Sequence, residues 1–143
     1  MFRATRGEDI PASFARLTWR EAMDRYGSDK PDRRFGIGLT DLCDLFADSG
    51  FKVFSGAVKN GGVVKAINAK GFSGITTGQV DALTQLAIEA GAKGLAYIQV
   101  RGEDPSTWRS PITKFLSEQE IAGLREPLAI EPGHPILFPA RPW

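Results

Sequence analysis

Phe51-Lys-Val-Phe-Ser-Gly-Ala-Val-Lys-Asn60-Gly61-Gly-Val-Val-Lys-Ala-Ile-Asn-Ala69 is the stretch on which the fold turns. Two runs rich in β-formers flank Asn60-Gly61. An Asn-Gly pair in that setting is a strong hairpin signal, because both central residues of a type I′ turn need positive φ. The pattern predicts paired strands over residues 51–59 and 62–69. Within the first arm Val53, Ser55 and Ala57 alternate with Phe54 and Val58. Lys52, Lys59, Lys65 and Lys70 fall along or at the ends of the two arms. Lysines so placed either make a phosphate-contacting stripe or charge the edge of a sheet against sticking to another.

Downstream, Thr76-Thr77-Gly78-Gln79 has capping-box form, and Val80, Leu83, Ala87 and Ala90 recur at helical spacing as far as Gly91. Leu95 to Val100 is almost wholly apolar, the composition of a strand central in its sheet. A turn through Gly102, Asp104 and Pro105 leads to another strand candidate at residues 108–115, where Pro111 implies an edge or a bulge. Ser117-Glu118-Gln119-Glu120 opens a helix that should bury Ile121 and Leu124 and stop before Pro127. Ile136-Leu137-Phe138, between prolines, allows one more strand. The order from residue 51 is therefore β-β-α-β-β-α. Packed economically, that is an α+β fold, a two-layer sandwich on a mostly antiparallel sheet.

Upstream, residues 1–17 lack a period of either kind and read as an extended, N-terminal lead-in. Thr18-Trp19-Arg20-Glu21 is a further capping box, after which Trp19, Met23 and Tyr26 make an apolar stripe and Gly27 ends the helix. Thr40 is placed to cap a second short helix, with Leu42, Leu45 and Phe46 inward and Asp41, Asp44 and Asp48 outward. Between the two helices lies Arg25-Tyr-Gly-Ser-Asp-Lys-Pro-Asp-Arg-Arg-Phe35, a loop that Gly27 and Pro31 should give a defined shape.

A chain of 143 residues with 42% hydrophobic and 24% charged content is that of one soluble domain. A net charge of +1, from 18 basic and 17 acidic residues, supplies no global field for nucleic acid, so any such contact must be local. No apolar run approaches the roughly 20 residues of a membrane helix, and the charged N-terminus has no signal-peptide core, which points to the cytoplasm. One cysteine, Cys43, and one histidine, His134, leave no intrachain disulfide and no pair for a metal.

Candidate chemistry is sparse. No phosphate-binding glycine loop with its lysine, dinucleotide fingerprint or nucleophile-elbow serine is present. Asp29 and Asp32 would serve acid–base work only if held together in a cleft, and Lys30, Arg33 and Arg34 stand ready to neutralise them. Cys43, with no histidine near it in sequence, reads as a small half-buried apolar residue rather than a nucleophile. His134, between Gly133 and Pro135, reads as a solvent-facing turn residue, or else a shuttle or ligand.

Six segments in order carry a resemblance. They are Arg25-Tyr-Gly-Ser-Asp-Lys-Pro-Asp32, Arg34-Phe35-Gly36, Asp48-Ser-Gly-Phe-Lys-Val-Phe54, Gly91-Ala-Lys-Gly-Leu-Ala-Tyr97-Ile98, Ser110-Pro111 and Lys114-Phe-Leu-Ser117. Over residues 10–138 the chain resembles bacterial-type aspartyl-tRNA synthetase in the inserted GAD domain, between the second and third class II motifs. The chain departs from the family pattern at Arg33, at His134-Pro135 and in its proline-rich end. The resemblance implies an α+β insert at residues 51–143 preceded by a lead-in at residues 1–50 that carries the junction loop. Neither the Arg-containing motif 2, the Gly-rich motif 3 nor the anticodon-binding barrel occurs in the 143 residues. ATP and Mg therefore belong to the full enzyme it resembles, and none is expected for this chain alone.

The implied role is non-catalytic: positioning the tRNA acceptor end, or bracing the active-site entrance, with the rest of a class II catalytic domain as partner. Arg25, Ser28, Asp29, Lys30, Asp32 and Arg34 would form the junction or a binding loop, and Lys52, Lys59 and Lys65 are the candidate nucleic-acid contacts. The alternative is a free-standing module, binding tRNA through the lysine-bearing stretch or a protein through Trp19, Phe35 and Trp108.

Overall fold

The computed structural model describes residues 5, 7 and 13–142. The expected lead-in at residues 1–17 falls largely outside them, and residues 14–18 carry neither helix nor strand. The chain divides between Pro31 and Asp32 into two compact units.

The first unit holds α1, Trp19–Tyr26. Its capping box forms as expected: the Glu21 N–H donates to the Thr18 hydroxyl, and the Thr18 N–H donates to the Glu21 carboxylate at 2.7 Å. Gly27 ends it in the left-handed region at φ 69°. The apolar stripe is only partly covered. Ala22 is buried, Met23 and Tyr26 are half-buried, and Trp19 stays 69% exposed.

The second unit is an α+β fold on a four-stranded antiparallel sheet with strands β1 (Leu39–Asp41), β2 (Gly62–Asn68), β3 (Leu95–Gln99) and β4 (Pro135–Pro142). The spatial order is β1-β2-β4-β3. Four helices accompany it: α2 (Cys43–Phe46), α3 (Lys52–Lys59), α4 (Thr77–Glu89) and α5 (Glu118–Leu128). Because β2 and β3 are each antiparallel to β4, they run in the same direction. Such a pair needs a crossover, and α4 lies in the connection that supplies it.

The expected hairpin is not there: residues 52–59 are helical, so the β-β-α-β-β-α order is replaced by β1-α2-α3-β2-α4-β3-α5-β4. Two facts explain the reversal. Phe51, Phe54 and Val58 are three and four residues apart, so a helix gathers them on one side, with Phe54 1% exposed. Asn60 has φ −90°, which excludes a type I′ turn. The pair instead closes the helix. The Asn60 N–H and its side-chain amide both donate to the Gly56 carbonyl, and Gly61, at φ 74°, donates to Val58.

Other expectations shift for related reasons. Thr40 lies in β1 and does not cap α2; the Asp41 carboxylate does that work, accepting the Cys43 N–H at 2.9 Å. Residues 108–115 are not a strand. A single bridge joins Arg109 to Gln99, and 3-10 turns occupy Pro105–Thr107 and Thr113–Phe115. β3, expected in the middle of the sheet, ends the strand order, while the short proline-bracketed run at 136–138 is the core of β4 between two neighbours. Pro127 does not stop α5 but sits inside its last turn, forgoing the N–H that would bond the carbonyl four residues back, and Ala129 closes the helix in the left-handed region. From β2, the Asn68 amide donates to the Leu128 and Ala129 carbonyls at 2.8 and 3.0 Å, holding that end.

The core gathers Leu42 and Phe46 of the α2 region, Phe54 of α3, Val64 and Ala66 of β2, Ile98 of β3, Leu124 and Leu128 of α5, and Ile136 and Phe138 of β4. Three phenylalanines sit at its centre. Ring centroids are 4.9 Å apart for Phe46 and Phe54, 5.8 Å for Phe54 and Phe138, and 6.4 Å for Phe46 and Phe138. Phe138→Ala should therefore lower stability by about 3–5 kcal/mol, the usual cost of emptying a filled aromatic site. Urea unfolding followed by circular dichroism measures this, and a loss no larger than that of Phe35→Ala, at a 74% exposed ring, would contradict the placement.

Candidate functional site

The unit boundary falls inside the charged loop, between Pro31 and Asp32. On the first side, Ser28 Oγ accepts the Lys30 N–H at 3.1 Å, and the Arg25 guanidinium lies 5.5 Å from the Tyr26 ring centroid. Arg25, Asp29 and Lys30 are exposed and Ser28 is half-buried. On the second side, Asp32 caps the 3-10 turn Arg33–Phe35 by accepting the Arg34 N–H at 3.0 Å. The same carboxylate holds the Arg34 side chain in a two-pronged pair, with Nε at 2.9 Å and Nη2 at 2.5 Å. That guanidinium, followed by the Arg34 backbone N–H, keeps the Asp32 carboxyl below the usual carboxylate range. A carboxylate so occupied is a structural cap and makes a poor general base.

The candidate nucleic-acid lysines divide between two elements. Lys52 opens α3 and Lys59 closes it. Seven residues apart, they share one side of the helix at about 10 Å along its axis. Lys65 is half-buried in β2, in register with Asp41 of β1. The stripe expected along two strands is thus a helical pair, with a third lysine on the sheet.

Cys43 and His134 are also placed. Cys43 Sγ accepts the Val64 N–H at 3.3 Å, and burial pushes its thiol pKa up, the opposite of what a nucleophile needs. His134 is more covered than a turn residue would suggest, its side chain 20% exposed, with Nδ1 4.0 Å from the Glu131 carboxylate. Among the described residues no group of three His, Cys, Asp or Glu side chains is arranged to hold a metal ion, and no helix is long and apolar enough to cross a membrane.

Two open cavities were not legible in the sequence. One, of about 420 Å³, lies at an end of the sheet between Phe72, Ile75, Gln99, Arg101 and Gly133. The other, of about 680 Å³, runs between the 104–114 loop and α5, beside Trp108, Lys114, Glu118 and Arg125. Arg125 stacks 5.6 Å from the Trp108 ring and donates to the Glu103 carbonyl, while the Trp108 indole N–H donates to Gly102 at 2.9 Å. The two pairings of Arg125 join residues 17 and 22 apart and leave no local pattern. Asp104 in the same groove is held below the usual carboxylate range by the Ser106 N–H that it caps. Asp104 and Arg125 are thus tied to structure rather than poised as an acid–base pair.

Residues 54–143 match the GAD domain. The chain belongs to the GAD domain family. Over nearly its whole length it is also similar to bacterial aspartate–tRNA ligases. It is 50% identical over 135 residues to the Aspartate–tRNA(Asp/Asn) ligase of Opitutus terrae, a match covering 94% of this chain and 22% of that protein. It is 51% identical over 140 residues to the enzyme of that name from Symbiobacterium thermophilum, covering 98% and 23%. With the Aspartate–tRNA ligase of Geobacillus kaustophilus it shares 49% over 139 residues, covering 96% and 23%. The chain thus spans less than a quarter of the length of these relatives, and the family resemblance carried by its motifs is shown.

One buried acid in this GAD domain gives a pH test. Burial works to raise the Glu120 carboxyl, but nearby Ser49 and the Ser117 N–H and hydroxyl, which donate to its Oε2, outweigh it, leaving its pKa below the ordinary 4.5. A folded-state pKa lowered in this way adds stability above the unfolded value, lost as pH falls through the folded one. Glu120→Gln should be less stable than the parent at pH 7, with the gap closing at a pH well below the ordinary 4.5. Urea melts at both values measure it, and a constant gap would mean that the loss is one of packing.

Proposed function

We propose that this chain is a non-catalytic insertion domain of an aspartate–tRNA ligase, set between the second and third class II motifs. Its role there is to position the tRNA acceptor end or brace the active-site entrance. One observation carries the reading. A match that takes in almost all of this chain occupies only 22–23% of ligases about half identical to it, and most of it is the GAD domain. On this reading residues 51–143 are the GAD-like body and residues 1–50 the lead-in, with β1 and α2 of that lead-in completing the sheet and core.

Activation of aspartate requires Mg and an ATP bound through an Arg-containing motif 2 and a Gly-rich motif 3, and the sequence lacks both motifs. The residues that are present do not fit that group: Asp32 and Arg34 are paired to each other, and the carboxylates of the Trp108 groove cap turns or line an open surface. The catalytic step is assigned to the remainder of a class II synthetase, in the cytoplasm. An aspartate-dependent pyrophosphate-exchange assay on the 143-residue chain should read zero, and measurable exchange would overturn the reading.

The second reading, a free-standing tRNA-binding module, is favoured by the shared side of Lys52 and Lys59. Phosphate contacts release counterions, so tRNA affinity through this pair must fall steeply between low and moderate salt. The expected result for the isolated chain is weak binding that vanishes at moderate salt. Binding that is tight at low salt, weakens steeply at moderate salt and is lost in the Lys52→Ala, Lys59→Ala double variant would favour the free-standing module.

A further inference from the structure

α1 lies outside the part of the chain that matches the GAD domain, which begins at residue 54. A ligase match of 140 residues out of 143 nevertheless cannot omit it. The helix is therefore shared with the ligases as something other than the GAD domain, and it belongs to a compact unit of its own. Its apolar side is Trp19, Ala22, Met23 and Tyr26, adjacent at helical spacing. That side is closed at Ala22, half-closed at Met23 and Tyr26, and bare at Trp19, which is 69% exposed; Phe14, five residues upstream and outside the helix, is 75% exposed. A large exposed aromatic at the end of a partly buried stripe, with a second exposed ring close upstream in the chain, makes an incomplete interface.

Charge narrows the partner. α1 carries Arg20 and Arg25 against Glu21 and Asp24 and nets to zero, and Arg20 is 3.7 Å from the Asp24 carboxylate. A phosphate-binding surface needs uncompensated cations, so nucleic acid is disfavoured here and an apolar protein surface fits. The relatives supply that surface, because more than three-quarters of each ligase chain lies outside the match. We infer that the Trp19 end of α1, with Phe14, is the seat by which this segment docks on the ligase polypeptide outside the matched region. This rests on the insertion-domain reading above.

The test replaces the matched segment of the Geobacillus kaustophilus ligase with this chain and compares Trp19→Ala and Trp19→Phe in the chimaera and in the isolated 143-residue protein. Docking predicts that Trp19→Ala leaves the melting midpoint of the isolated chain unchanged, lowers that of the chimaera by several degrees, and is largely rescued by Trp19→Phe. An unchanged midpoint in an active chimaera overturns the docking while leaving the insertion reading intact. An equal loss in both proteins also overturns it, since Trp19 would then serve only its own unit. If Trp19→Ala instead weakens tRNA binding by the isolated chain without shifting the chimaera, the surface is an RNA contact and the inference fails. A chimaera that is inactive with the unaltered segment overturns the insertion reading, and the docking with it.

Discussion

Phe46, Phe54 and Phe138 come from α2, α3 and β4 and meet as three fully buried rings, with Phe51 edge-on to Phe54 at 4.8 Å. Burial of rings this large dominates the energetics of a small core, and it fixes the state of each element that contributes one. α3 must be helical for Phe51, Phe54 and Val58 to face the sheet together. β4 must run through the middle of the sheet for Phe138 and Ile136 to be covered. Buried Asn68 then ties the end of α5 into the same body through the Leu128 carbonyl, while buried Glu120 closes the start of that helix locally on the Ser117 N–H.

The charged groups show the opposite organisation. Asp32 with Arg34, Glu21 with Thr18 and Asp104 with Ser106 each close a local turn or cap, and Arg125 spans a loop by stacking on Trp108. Carboxylates satisfied in this way have their pKa values lowered and stay ionised, which suits them to holding shape. The charge-rich loop at residues 25–36 therefore reads as a shaped connection crossing a unit boundary, in keeping with a segment whose relatives carry it inside a chain more than four times as long.

Asn60-Gly61 shows where the sequence was ambiguous. Its neighbours alternate like a strand, yet they also repeat every three or four residues like a helix, and a run of eight residues satisfies both periods. Positive φ at Gly61 serves a hairpin turn and a helix C-terminus equally; only Asn60, at φ −90°, separates the two. The β4 signal was weakened by Pro135, Pro139 and Pro142, which break a ladder wherever their missing N–H was needed. Its central place reflects the burial of Ile136 and Phe138.

What the sequence determined by itself was whatever depends on near neighbours. The capping boxes at Thr18, Thr76 and Ser117 and the glycine stop at Gly27 were all legible, because each donor meets its acceptor within four residues. The family motifs were legible too, being contiguous. Tertiary structure alone decided that residues 52–59 are a helix, that β4 and not β3 is interior, that Trp108 is clasped by Arg125, and that Trp19 is left bare. Each of these depends on apolar area removed from water, or left in it, by groups distant along the chain, and no local pattern encodes that balance.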